Sequence, residues 1–179
     1  MATQYRNISG ELTQELLAAG DGIKVSSISL TNARGLLSAV PLNYHTCKVD
    51  LYIEKKLTGK FYILKGVSLP LGATLSHDFT MNNSTDEYGL YIKLTNGDAF
   101  ELTGSINPGN STTTVPGSGT TFTTELDVGS DIVVTGETRR ITAIASTTSL
   151  TISKTFTDDI ATDSTPDGKL GAEVDVIIS

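Results

Sequence analysis

The chain has 179 residues, 38% of them in the group AVILMFWYC and 18% charged, with a formal net charge of −7 and a pI near 4.7. That length fits one large domain or two small ones, and the acidic balance argues against a nucleic-acid partner, because neutralising phosphate from a basic face supplies most of such affinity. A single cysteine, Cys47, excludes an internal disulfide and suits a protein made in a reducing cytoplasm.

Met1 to Arg6 shows no apolar h-region, so no secretory leader is expected. No apolar run approaches the ~20 residues of a membrane span, so no membrane partner is expected either. The remaining composition is rich in Thr, Ser and Gly. Thr is β-branched and favours pleated, half-buried surfaces, so the excess points to strands and turns.

Taken in chain order, strand signals dominate. Leu12, Leu16 and Leu17 have helical spacing ahead of Gly20, but the segment is too short for a stable helix and reads better as an N-terminal strand. Ile23-Lys24-Val25-Ser26 starts an alternating run whose parity slips at Ser26-Ser27 and resumes through Ile28 and Leu30; a bulge there would explain the slip. Val49, Leu51 and Ile53 alternate with Lys48, Asp50, Tyr52 and Glu54, the pattern of a strand with one wet face. Thr58-Gly59 turns the chain into a hairpin partner, Lys60 to Leu64. Ala73 to Phe79 reads as a short strand, and Leu90, Ile92 and Leu94 alternate with Tyr91 and Lys93. At the far end Val174, Val176 and Ile178 share one face of a further strand.

The stretch between differs in texture. Asn96-Gly97 marks a turn at its start and Thr165-Pro166-Asp167-Gly168 one at its end. Inside, Ile132 to Val134, Arg139 to Ala145 (Ile141, Ala143 and Ala145 on one parity) and Leu150 to Ile152 form a meander. The expected fold is therefore all-β: an antiparallel β-sandwich of jelly-roll or Ig-like order, residues 1–97 plus 170–179, interrupted by a small β-barrel or mini-sandwich, residues 98–169. Such insertions are tolerated where the host's chain ends lie close together.

The run Thr114 to Leu126, then Val128-Gly129-Ser130-Asp131-Ile132, Gly136 to Ile144 and Thr148 to Ile152, resembles a small β-module of tailed-bacteriophage virion proteins over residues 105–157. It departs from that module at Val128 to Asp131, where Gly more often directly precedes Asp, and at Pro116, where a strand-former is usual. The flanking strands, with Val49 to Ile53, Tyr62 to Leu64 and Gly89 to Leu94, are similar to minor structural proteins of large tailed phages, including those infecting cyanobacteria. Within the module Gly117 and Gly119 are expected at positive φ, Phe122 and Leu126 as core anchors, and Gly129 at a tight corner.

No reactive constellation emerges. His45 and His77 are isolated and read as surface or turn residues; Cys47 reads as a small, buried or half-buried hydrophobe. Asp158, Asp159, Asp163 and Asp167 lack the spacing of a calcium loop and read as a solvated linker. Gly117-Ser118-Gly119 has neither the Lys nor the helix of a phosphate loop. Asn83-Ser84-Thr85 and Asn110-Ser111-Thr112 match the glycosylation pattern but are expected as unmodified loops. No cofactor, metal or catalytic residue is expected.

Tyr52 and Tyr91 fall on the polar parity of their strands and are expected to form an exposed stripe, flanked by Lys48, Glu54 and Lys93; these five are the candidate interface. The resemblance implies a non-enzymatic virion protein made in the host cytoplasm: a capsid decoration or cement subunit, or a neck or tail accessory. Its partners would be major capsid, neck or tail subunits, or further copies of itself. The alternative is a receptor- or glycan-binding module of a fibre or adhesin.

Overall fold

The structure is a computed structural model that describes residues 3–55, 58–83, 88–160 and 165–179. The chain is nearly all strand. In order come β1 (Gln4–Ser9), β2 (Thr13–Leu17), β3 (Lys24–Asn32), β4 (Cys47–Lys55), β5 (Gly59–Leu69), β6 (Thr74–Asn82) and β7 (Gly89–Thr95). They are followed by β8 (Phe100–Glu101), β9 (Ser105–Ile106), β10 (Thr114–Ser118), one helical turn α1 (Phe122–Glu125), β11 (Asp131–Val134), β12 (Glu137–Ser146), β13 (Ser149–Ile152), β14 (Asp167–Lys169) and β15 (Glu173–Ile178). The segment around Leu12 is strand, as its neighbours imply.

The chain divides into two compact units. The first takes Met1–Arg34, Thr46–Thr95 and Ala172–Ser179; the second takes Gly35–His45 and Asn96–Gly171. In the first unit two antiparallel sheets run β1-β15-β3-β6 and β2-β7-β4-β5. With eight strands numbered along the unit this is the jelly-roll order, in which sequence neighbours lie in opposite sheets except at the β4–β5 hairpin. Inward-facing residues alternate along the strands, with the parity shifting at bulges. Ile8, Leu30, Leu51, Ile92, Val174 and Val176 from the two sheets are each no more than 1% exposed. Burying such a side chain fully contributes about 1.5–3 kcal/mol.

Two sequence features explain details of this sandwich. The parity slip at Ser26-Ser27 is a bulge: both N–H groups donate to the Ser179 carbonyl, at 2.6 and 3.1 Å, so Val25 and Ile28 both face the core. The strand read at Val174 to Ile178 does not extend the sheet that Leu94 leaves. It lies in the opposite sheet, between β1 and β3.

The division differs from the expected one at Gly35–His45, which the expected bounds place with the sandwich. Its apolar residues Leu37, Val40 and Tyr44 belong to the second unit's core, with the Tyr44 and Phe100 rings 5.4 Å apart. The first unit explains how two separate segments can leave it together. Asn32 pairs with Val174 and Lys48 pairs with Thr95, so the ends of β3 and β7 lie beside the starts of β15 and β4. Asn32 joins the two sheets there, its buried Nδ2 donating to the Leu69 carbonyl at 2.8 Å, while Leu69 pairs with Cys47. All four chain crossings therefore sit at one end of the sandwich.

The second unit is one antiparallel sheet in the order β8-β14-β11-β12-β13-β10-β9. Its ends, β8 and β9, are not paired with one another, so the sheet is open rather than a closed barrel. Phe122, Leu126, Ile132, Val134, Leu150 and Phe156 fill its core, as expected for Phe122 and Leu126. Four expectations change. Ile141 shares its inward face with Ile144, not with Ala143 and Ala145, because the β12–β13 register shifts on both sides of Ala143 and Ile144. Asp167-Gly168 is not a turn but part of β14, pairing with β8 and β11. Gly117 is not at positive φ as Gly119 is (66°); a Cβ on it would sit 2.3 Å from Thr120 Oγ1. The helical turn α1 does begin soon after Gly119, but it presents Phe122 to the core.

The β11–β12 hairpin closes through two residues, Thr135-Gly136, with φ of 49° and 85°. Paired positive φ values mark a turn that favours Asn-Gly, and a β-branched Thr is strained there. Thr135 is exposed and its side chain packs nothing that substitution would lose. Thr135→Asn is expected to stabilise the second unit by about 0.5–1 kcal/mol, read from the denaturation midpoint; an unchanged or lower midpoint would contradict the strain.

Candidate functional site

The site grows from the wet face of β4. Because β4 alternates, Val49, Leu51 and Ile53 point inward and Lys48, Asp50, Tyr52 and Glu54 point outward. Register then assembles a row across the whole sheet: Glu15 pairs with Tyr91, Tyr91 with Tyr52, and Tyr52 with Tyr62. Directly opposed residues of antiparallel strands share a face, so one carboxylate and three phenols line up.

Their contacts are close. The Tyr52 ring stacks on Tyr91 at 5.6 Å and 13°, and meets Tyr62 at 5.6 Å and 54°. Lys60 Nζ lies 4.6 Å from the Tyr52 centroid and donates to its hydroxyl at 3.3 Å, with Glu54 Oε2 at 3.8 Å. Tyr91 donates its hydroxyl to Glu15 Oε1 at 2.8 Å. Lys65 Nζ sits 4.9 Å from the Tyr62 centroid. Between Thr13, Tyr52, Glu54, Lys60 and Tyr91 lies a shallow cleft of about 400 Å³.

Gly89 makes this packing possible. Tyr91, two residues on along β7, folds over it, and a Cβ at Gly89 would come within 2.8 Å of Tyr91 Cε2 and 3.2 Å of Glu15 Oε1.

The exposed stripe expected of Tyr52 and Tyr91 is not present. Tyr52 is 2% exposed and Tyr91 is half-buried. Polar parity placed Tyr52 on the outer face, but long neighbours on both flanking strands and Lys60 above it exclude water. Of the five expected residues, Tyr52, Tyr91 and Glu54 come together. Lys93 is one row away, paired with Asp50, and Lys48 lies at the chain-crossing end opposite Thr95. The exposed aromatics on this sheet are instead Phe61 (50%) and Tyr62 (45%) of β5. Tyr62 could have been found by extending the β4–β5 hairpin register from Tyr52, and Lys60 follows from the same register; Glu15 belongs to the β2–β7 pairing, which the sequence does not announce.

Two groups of this unit titrate away from their ordinary values by amounts that matter. The hydrogen bond to Glu15, then burial and the nearby carboxylates, push the Tyr91 phenol up to about 12. Burial pushes the Cys47 thiol up to about 11. Cys47 is buried, as expected, with Sγ 3.9 Å from the Leu69 carbonyl.

The other residues weighed in the sequence have structural partners. His45 is not a surface residue: it is 1% exposed, accepts the Leu37 N–H at Nε2 (3.0 Å) and faces the Pro41 carbonyl through Nδ1 (3.2 Å), fixing the fold of Gly35–His45. His77 stacks beside Phe79 on β6. Asn83 is not a loop residue open to solvent; it is buried, and its side chain holds Gly20 N–H and Ala18 carbonyl. Asn110 is exposed. Asp158 and Asp159 are exposed and Asp167 lies in β14; Asp163, Ser84 and Thr85 fall outside the described residues. Among the described residues, no group of three or more His, Cys, Asp or Glu is placed to hold a metal ion. No helix among them is long and apolar enough to cross a membrane. No protein-family model, curated protein or solved structure matches the chain.

Two measurements follow. The folded pKa of Tyr91 is raised above the ordinary 10.0, so its contribution to stability is fully present below pH 10 and is lost as the pH climbs toward about 12. An alkaline absorbance titration should show one phenol ionising last, and Glu15→Gln should bring that ionisation down toward the ordinary value. Cys47 should react with a thiol reagent orders of magnitude more slowly in the native protein than in denaturant; fast native labelling would mean that the core opens there.

Proposed function

We propose that the chain is a non-enzymatic accessory subunit of a virion, docking on the particle through its jelly-roll unit as a capsid decoration or cement protein, or at the neck or tail. The observation that carries this reading is the free edge strand β5, an 11-residue strand with Phe61 and Tyr62 half-exposed upon it. A sheet edge offers unpaired N–H and C=O groups to an extended segment of a partner, and aromatic side chains on it supply buried area and specificity. Lys60, Lys65 and the bulge at Gly66, whose N–H is held by Asp50 Oδ1 at 2.6 Å, interrupt that edge and oppose open-ended stacking.

Two further points support the reading. Jelly rolls are shared by viral capsid and lectin domains, an analogy of fold. The resemblance of residues 105–157 to a phage module adds to it. The mechanism would be mass action: a subunit that binds the assembled state stabilises it by RT ln(1 + [L]/Kd), and repetition over a symmetric particle multiplies modest contacts. Purified particles should contain the protein in stoichiometric copies, and Phe61→Asp should lower its particle-bound copies about tenfold or more without changing its fold. Absence of the protein from particles by mass spectrometry would end the proposal. A second reading, a glycan-binding module, is favoured by the polar cleft beside Tyr91.

A further inference from the structure

The cleft on the outer face of β2-β7-β4-β5 differs in kind from the β5 edge. It is a shallow hollow, its volume of about 400 Å³ lies within the ~300–1,000 Å³ range of small-ligand sites, and its lining mixes polar groups with aromatic walls. We infer that it binds a neutral saccharide unit, with Glu54, Lys60 and Thr13 hydrogen-bonding the sugar hydroxyls and the Tyr91 ring packing against a sugar C–H face.

The chemistry of the groups selects that ligand. The Glu54 carboxylate offers about four lone-pair positions, and the contact described uses few of them: its Oε2 faces Lys60. Lys60 has three N–H donors and spends one on the Tyr52 hydroxyl. Thr13 adds a hydroxyl that both donates and accepts. Alternating donors and acceptors over a few ångströms suit the adjacent hydroxyls of a sugar ring. They suit an anion poorly, because Glu54 Oε2 stands 3.8 Å from the one ammonium of the lining and repels it. An apolar ligand would strand that carboxylate and ammonium without partners.

The arrangement is also fixed in advance. Tyr91 is clamped by Glu15 at its hydroxyl and by close packing over Gly89, and Lys60 is tied to both Tyr52 and Glu54. Less side-chain freedom is then lost on binding, which matters for a ligand as weakly held as a single sugar. Tyr91's raised pKa agrees with a phenol held as a donor at every physiological pH.

This inference does not rest on particle docking, and the two fail separately. The test uses the full chain, isotope-labelled, titrated with a panel of neutral hexoses, N-acetylhexosamines and their short oligomers, alongside sulfated and sialylated sugars. At least one neutral sugar should shift the amide signals of Thr13, Lys60 and Gly89 with millimolar or tighter affinity. Glu54→Gln should weaken that binding about tenfold or more at unchanged melting temperature, and Tyr91→Ala should weaken it as much in protein whose amide spectrum shows it folded, whereas Phe61→Asp should leave it intact. Because the chain lacks Trp, quenching of its tyrosine fluorescence gives an independent reading. Silence from every neutral sugar, tighter binding of the charged ones, or binding indifferent to both variants would overturn the assignment.

Discussion

Asn32 carries a polar side chain into an apolar interior, and the architecture turns on where it does so. It is 2% exposed, donates to the Leu69 carbonyl and accepts the Arg34 N–H at 3.2 Å. A buried amide left unsatisfied costs about 1–3 kcal/mol, so the ends of β3 and β5 are held in one relation. The four strand ends that hand chain to and from the second unit are gathered at the same end. A host sheet tolerates a long excursion when its departure and return are neighbours, and here that condition is met twice over.

The strands themselves were legible because burial imposes period two, and the sequence obeys it wherever one face is wet. Val49 to Ile53, Leu90 to Leu94 and Val174 to Ile178 show it directly. Even the slip at Ser26-Ser27 could be read as a bulge, since two small polar residues replaced one between apolar neighbours. Strand order was less accessible. Alternation tells which face is buried and not which strand lies beside it, so nothing near Val174 announced a place between β1 and β3. Gly35–His45 hid for a different reason: its apolar residues are irregularly spaced, and their partners lie more than fifty residues downstream at Phe100 and beyond.

The site shows the same division. Parity correctly sent Tyr52, Tyr91 and Glu54 to one outer face, but exposure is a property of the neighbourhood. Tyr52 is covered by residues of two other strands, and its burial follows only once the register places Tyr62, Tyr91 and Lys60 around it. Aromatic rings on a wet face bury one another when three adjacent strands each contribute one. What remains accessible is displaced to the rim, to Phe61 and Tyr62, and to the cleft that the covered ring floors.

The position of β15 has a temporal side. A chain emerging from the ribosome presents β1, β3 and β6 long before Glu173–Ile178, yet among the described residues β1 pairs only with β15. Until that segment is made, the sheet is split and the inward faces of Ile8 and Leu30 lack the strand that spans them. Contacts so distant in sequence close slowly. The sandwich therefore closes only once Glu173–Ile178 has been made, and until then the nascent chain must keep an incomplete β-sheet from pairing with its neighbours on the same polysome.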